Sequence, residues 1–217
     1  MSRDQVLGRV RAALKSAEAA PGNLMPAGPP DLPRPQAFAD PLTLFAERAC
    51  AVGATVDLVA SMDEAARRSA AWCAARAVRR AVVWNVASLA PVRDRLQADG
   101  IEIISPLLVP VRSWVDTVAG ADAGITSAEW GIAETGTLVL ACGPDQPRLA
   151  SLLPPAHLVV LRAGRILPDL PALFARADAL PSALTLITGP SRSADIGLVP
   201  VFGAHGPMAV AILIVTG

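Results

Sequence analysis

The stretch Thr55–Ile104, TVDLVASMDEAARRSAAWCAARAVRRAVVWNVASLAPVRDRLQADGIEII, decides the fold. Thr55 to Val59 is a short strand. Ser61-Met-Asp-Glu64 comes at once as a capping box, with Ser61 closing the first helical turn and Glu64 reaching back. The helix it opens carries Ala65, Ser69, Trp72 and Cys73 on one face. Ala81 to Trp84 is an apolar run of strand length. Pro91 suits the first turn of a second helix, and Gly100 suits its end. Ile101 to Ile104 is the next strand. A β-α-β-α-β alternation with short connections predicts a parallel sheet flanked by helices, an α/β fold.

Towards the N-terminus, a helix is predicted from about Pro41 to Val52, stopping near Gly53. Pro21 to Pro35 is dense in Pro and Gly and reads as an irregular linker. Val6, Val10, Leu14 and Ala17 recur at helical spacing, which predicts a short amphipathic helix. Its apolar stripe is expected to dock on another surface through Val6, Val10 and Leu14. The organisation is thus an N-terminal arm and linker over 1–39 and an α/β domain over 40–217. Beyond Ile104, Thr137–Ala141, His157–Leu161 and Leu184–Ile187 are apolar runs of strand length. Met208–Val215 is almost wholly apolar, as expected of a strand buried on both faces. Asp169–Ala179 is a predicted helix.

Composition narrows the class. The 217 residues are 53% hydrophobic and 18% charged, which suits a compact core and not a disordered chain. Net charge is zero without a basic run, so nothing here resembles a nucleic-acid footprint. Cys50, Cys73 and Cys142 are widely spaced and odd in number. They predict a reducing compartment, no disulfide framework and no iron–sulfur cluster in this chain. His157 and His205, the two histidines, are too few for a zinc site. Arg3, Asp4, Arg9 and Arg11 interrupt any apolar leader, and no run reaches membrane-spanning length. A cytoplasmic location is expected.

Three segments could carry chemistry. In Gly124–Leu140, Glu134 stands before the turn residues Thr135, Gly136 and Thr137. A carboxylate there either faces a cleft as a base or nucleophile, or is satisfied by backbone N–H groups or an arginine. In Leu184–Ile196, a strand runs into Gly189, Pro190 and Ser191, then Arg192, Ser193 and Asp195, with a helical start expected there. Backbone N–H groups at such a turn, with Ser191, Arg192 and Ser193, could cradle an anion. The alternative is an ordinary turn with Asp195 capping the next segment. In Val201–Pro207, His205 sits between Ala204 and Gly206, where it could serve acid–base work or simply face solvent. His157, after Pro154-Pro155, is assigned a structural role.

Taken in order, Gly131-Ile-Ala-Glu-Thr-Gly-Thr-Leu138, Leu152-Leu-Pro154, Thr188-Gly-Pro-Ser-Arg-Ser-Ala-Asp-Ile196 and Gly203-Ala-His-Gly-Pro207 resemble the domain shared by lactate-utilization proteins B and C. The likeness runs from about Asp40 to Gly217. The short chain without cluster cysteines is similar to the protein C branch. The resemblance implies a fold like that of ribose-5-phosphate isomerases and coenzyme A transferases. It implies a component of a bacterial system oxidising L-lactate to pyruvate, an accessory or assembly subunit. Its partners would be the iron–sulfur proteins A and B, which would hold the clusters. It supplies no established catalytic residue, although the Ala133–Gly136 turn is similar to the glutamate turn of coenzyme A transferases. Two other readings stay open: an enzyme acting on an anionic acyl or sugar-phosphate substrate, and an anion-sensing module. In each, Glu134, the 191–195 loop and His205 are expected to converge on one cleft. That requires Thr137–Ala141 and Met208–Val215 to run antiparallel to Leu184–Ile187, or loops to fold over the sheet edge.

Overall fold

The computed structural model describes residues 3–18, 38, 40–105, 111–175, 181, 183–194, 200–203 and 205–217. The chain divides into two compact units, Met1–Arg34 and Pro35–Gly217. The first contains helix α1 (Arg3–Glu18), with Asp4 in its first turn. Val6, expected to dock, is 43% exposed. The side chains of Val10 and Leu14 lie outside the described residues.

The second unit opens with α2 (Pro41–Ala51), whose first N–H groups, those of Leu42 and Thr43, are accepted by the Asp40 carboxylate. Then come β1 (Thr55–Val59), α3 (Met62–Ala75), β2 (Arg80–Val83), α4 (Ala90–Ala98) and β3 (Glu102–Ile104). The capping box at α3 forms, with a shift. Ser61 Oγ accepts the Glu64 N–H at 3.2 Å, while the Glu64 carboxylate takes the N–H of Ala60, one residue earlier than expected. Ala65, Ser69 and Cys73 are buried on α3. Trp72 is half-buried, with the Arg76 guanidinium 4.4 Å above its ring.

The rest of the unit is α5 (Val111–Ala119), β4 (Ala123–Ser127), β5 (Trp130–Ile132), β6 (Thr137–Ala141), β7 (Ala156–Arg162), β8 (Ile166–Leu167), α6 (Leu170–Phe174), β9 (Leu184–Ile187), β10 (Arg192–Ala194), β11 (Pro200–Phe202) and β12 (Ala209–Val215). Six strands form an all-parallel sheet in the order β1-β12-β7-β4-β2-β3. Its centre is apolar on both faces: Leu158 to Leu161 and Val210 to Val215 are all buried. Each such Val, Leu or Ile contributes about 1.5–3 kcal/mol. At its amino edge the Asp122 carboxylate accepts the N–H groups of Arg79 and Arg80 at 2.8 and 2.9 Å. Those two bonds hold the carboxyl below its usual range.

The connections change direction inside this sheet. From β2 the chain moves outward to β3; from β4 it moves the other way, to β7 and then β12. Since parallel crossovers are right-handed, the two sets of connections cover opposite faces. Helices α3 and α4 pack on each other on one face. Arg148–Ser151 packs on β4 on the other, where a Cβ at Gly124 would overlap the Ala150 carbonyl oxygen.

Between β4 and β12 the chain builds a second sheet, β8-β5-β6-β9, which sequence periodicity does not show. It is mixed: β5 pairs antiparallel with β6 and β6 with β9, and β8 joins β5 in parallel. It has its own small apolar cluster of Trp130, Ile132, Val139, Leu167 and Leu173. Two expectations are corrected. The helix expected over Asp169–Ala179 is Leu170–Phe174, capped by Asp169, with 176–180 outside the described residues. The helical start expected at Ser191–Asp195 is instead β10, paired antiparallel with β11. The helix preference of Arg192 and Ala194 is overridden by pairing with Pro200–Phe202, which satisfies their backbone groups in the extended form.

Candidate functional site around Ser191 and His205

The turn Ala133–Gly136 joins β5 to β6. Ala133 and Glu134 donate their N–H groups to the carbonyls of Leu167 and Pro168, at 2.8 and 3.0 Å. Gly136 has φ +67°, and a Cβ there would overlap the backbone of Arg48 and Ala49 at the end of α2. The turn is thus pinned from both sides, and the Glu134 side chain is exposed. From this turn a chain of hydroxyls leads inward: Thr135 Oγ1 to Thr137 Oγ1 at 2.6 Å, and Thr137 Oγ1 to Thr188 Oγ1 at 2.8 Å. The link exists because β6 runs antiparallel to β9, which sets the start of one strand beside the end of the other.

After Thr188, Gly189 takes φ +76°, with its α-carbon so close to α2 that a Cβ would sit 2.7 Å from the Val52 carbonyl oxygen. Arg192 extends across the same helix end and donates to that oxygen at 3.0 Å. Ser191 is the joint between loops. Its N–H donates to Pro207 O at 2.8 Å, its carbonyl accepts from Gly203 N–H at 3.0 Å, and its hydroxyl accepts from the His205 N–H at 3.4 Å. The Ser191 and His205 motifs, far apart in sequence, therefore form one structure.

Two depressions meet there. One, of ≈ 200 Å³, is lined by Ser151, Thr188, Gly189, Ser191, His205 and Gly206, among others. The other, of ≈ 450 Å³, lies over Leu149, Leu152, Leu153, Pro155 and Met208 and shares His205 and Gly206. His205 is exposed between them. Neither depression is lined by Glu134 or Arg192. Of the residues expected at the site, Gly189, Ser191 and His205 share a cavity wall. Thr135, Gly136 and Thr137 connect to it through Thr188. Glu134 and Arg192 stand outside it, and the Ser193 side chain and Asp195 lie outside the described residues. Residues that sequence reasoning did not single out are Thr188, Ser151 and Leu152. Thr188 and Leu152 lie inside the quoted motifs, so only their spatial partners were missing.

His157, in contrast, is fully buried on β7. Its Nε2 shares a hydrogen bond with Thr126 Oγ1 at 2.9 Å, and its Nδ1 has no partner among the described residues. Burial pushes its pKa down to about 3, so the ring is neutral. Cys73 is likewise sealed in the core, and burial pushes its thiol up to about 12. Cys142, by Thr185 Oγ1 at 3.3 Å, is half-buried. Among the described residues, no helix is long and apolar enough to cross a membrane.

A parallel six-stranded α/β sheet carrying an inserted mixed sheet, with a polar junction at Ser191 and His205, defines the class. Its family comes from comparison. The family model of the LUD domain matches residues 42–215, and the chain belongs to that family. A crystal structure of a DUF162 family protein from Deinococcus radiodurans is similar with a TM-score of 0.58 at 25% identity, covering 83% of this chain and 99% of that one. The chain is 36% identical over 108 residues to lactate utilization protein C of Halalkalibacterium halodurans, covering 46% of this chain and 47% of that protein. It is 39% identical over 100 residues to an uncharacterized protein of Neisseria meningitidis, covering 42% and 41%. The matched segments thus span a little under half the length of these curated relatives.

Proposed function

We propose that this chain is a component of a system that oxidises L-lactate to pyruvate, an accessory or assembly subunit acting with iron–sulfur partner proteins. The observation that carries this reading is the LUD domain match over 42–215, together with relatives named lactate utilization protein C. The chemistry agrees. Oxidising a secondary alcohol to a ketone releases two electrons, and something must take them. Of its three cysteines, Cys73 is buried with a raised pKa, Cys142 is held by Thr185 and Cys50 is exposed, and no two are closely spaced in sequence. Electron carriers would then belong to partners such as the iron–sulfur proteins A and B. The junction of Thr188, Gly189, Ser191 and His205 is the surface we assign to a small anionic ligand, with Glu134 and the Thr135–Thr137 turn beside it.

The test is affinity capture of the tagged chain from cells grown on L-lactate. Iron–sulfur proteins that reduce an artificial acceptor with L-lactate are expected to co-purify. A captured fraction without such proteins, from cells that oxidise L-lactate, would overturn the reading. Glu134→Gln tests the site. It keeps shape and removes an exposed charge, so stability should change by less than ~0.5 kcal/mol. Growth on L-lactate by a deletion strain carrying this variant should nevertheless be slowed.

A further inference from the structure

A third crevice, of ≈ 180 Å³, lies away from the Ser191 junction, at the carboxyl ends of the parallel strands. Met62, Ser88, Ser127, Glu129, Arg162 and Arg165 line it. Its position is a consequence of topology. The chain leaves β2 towards one edge of the sheet and leaves β4 towards the other, so the loops after these neighbouring strands diverge. Ligands of open α/β sheets collect at such a switch point. The walls are fixed by backbone bonds: Ala128 N–H donates to Val160 O at 2.9 Å, and Glu129 N–H to Val139 O at 2.9 Å. Strand β7 ends at Arg162, and the turn Ala163–Arg165 brings Arg165 back to Glu129, Nη1 to Oε1 at 3.3 Å.

We propose that this crevice binds a short organic monocarboxylate, held between the guanidinium groups of Arg162 and Arg165. Charge argues for an anion: two arginines face one carboxylate in the lining. Arg162 is exposed and makes no ion pair with a described residue, so its fork remains open to a planar carboxylate. Glu129 already shows the chemistry, since its carboxylate rests on Arg165 where a ligand carboxylate would compete. Phosphate is disfavoured. The start of α3 is already capped by Ser61 and Glu64 and carries Asp63 besides, so the helix end offers negative charge to a dianion. Size argues for a short molecule, because ≈ 180 Å³ is below the range of about 300–1,000 Å³ that drug-sized ligands occupy. Ser88 and Ser127 supply neutral hydrogen-bonding groups, and Met62 and Val160 apolar contact. The inference rests on this crevice alone and holds whether or not the chain serves lactate oxidation.

The test is titration calorimetry of the full chain at constant ionic strength with acetate, pyruvate, L-lactate and inorganic phosphate. At least one carboxylate should bind saturably and more tightly than phosphate. Arg162→Gln and Arg165→Gln should each weaken that binding about ten- to a hundredfold, the value of a lost charge-assisted hydrogen bond. Glu129→Gln should tighten it by freeing Arg165. Saturable binding of none of the carboxylates would overturn the proposal. So would tighter binding of phosphate, or affinity unchanged in the double arginine variant. If the arginine variants melt early, Glu129→Gln decides alone: tighter binding supports the site, and equal or weaker binding refutes it.

Discussion

His157 ties a single side chain to the pH dependence of the whole chain. Its folded pKa is depressed from 6.5 to about 3 by burial. The unfolded chain therefore binds the extra proton first. Its contribution to stability is full above about pH 6.5 and is lost as pH falls towards 3, with a slope of up to about 1.4 kcal/mol per pH unit. His157→Leu should remove that part of the slope while costing about 1–3 kcal/mol for the hydroxyl of Thr126 left without its partner. Urea denaturation between pH 3.5 and 7.5 measures both. Parallel pH profiles for parent and variant would refute the assignment. Gly136 sets a second limit at this scale. Gly136→Ala combines a left-handed backbone with overlap of α2, so a loss of about 2 kcal/mol or more is expected in the same assay.

Among elements, α3 ends in a way that invites improvement. Val78 N–H bonds to Cys73 O at 3.0 Å and Ala77 N–H to Ala74 O at 3.1 Å, the two bonds of a Schellman cap. The residue in the left-handed position is Ala77, φ 52°, where glycine is usual. Ala77→Gly should stabilise by about 0.5–1 kcal/mol, read as a higher denaturation midpoint at unchanged m-value. A lower midpoint would show that the loss of unfolded-chain stiffness outweighs the relieved strain. Elements of the first half were legible because each announces itself locally. Ser61 and Glu64 cap, Pro91 starts, Gly53 and Gly100 stop. Strand β5 was not legible as a strand, because Trp130-Gly-Ile132 is three residues long and is defined only by pairing with β6 and β8. Strand β10 read as a helical start for the same reason: its partner, Pro200–Phe202, is what makes it extended.

At the level of the molecule, two sheets share one chain, and their arrangement explains which parts of the site could be read in advance. The expectation that Glu134, the 191–195 loop and His205 share one cleft came from the strand ends that these segments leave or enter. Hydrogen bonds through Ser191 join its loop to His205, while Glu134 lines neither depression there. Of the two strands expected to run antiparallel to β9, β6 does so and delivers Thr137 to Thr188, whereas β12 pairs with β1 and β7 in the other sheet. The crevice under Arg162 and Arg165 was not legible, because its residues come from the ends of different strands and meet only after the sheet order is known. The claim that joins these parts is service in L-lactate oxidation. Its most direct test is the rate of L-lactate-dependent dye reduction in extracts of a strain lacking this gene and any second copy. The rate is predicted to fall to background and to return when the gene is restored. A deletion extract that oxidises L-lactate at the parental rate would contradict the account.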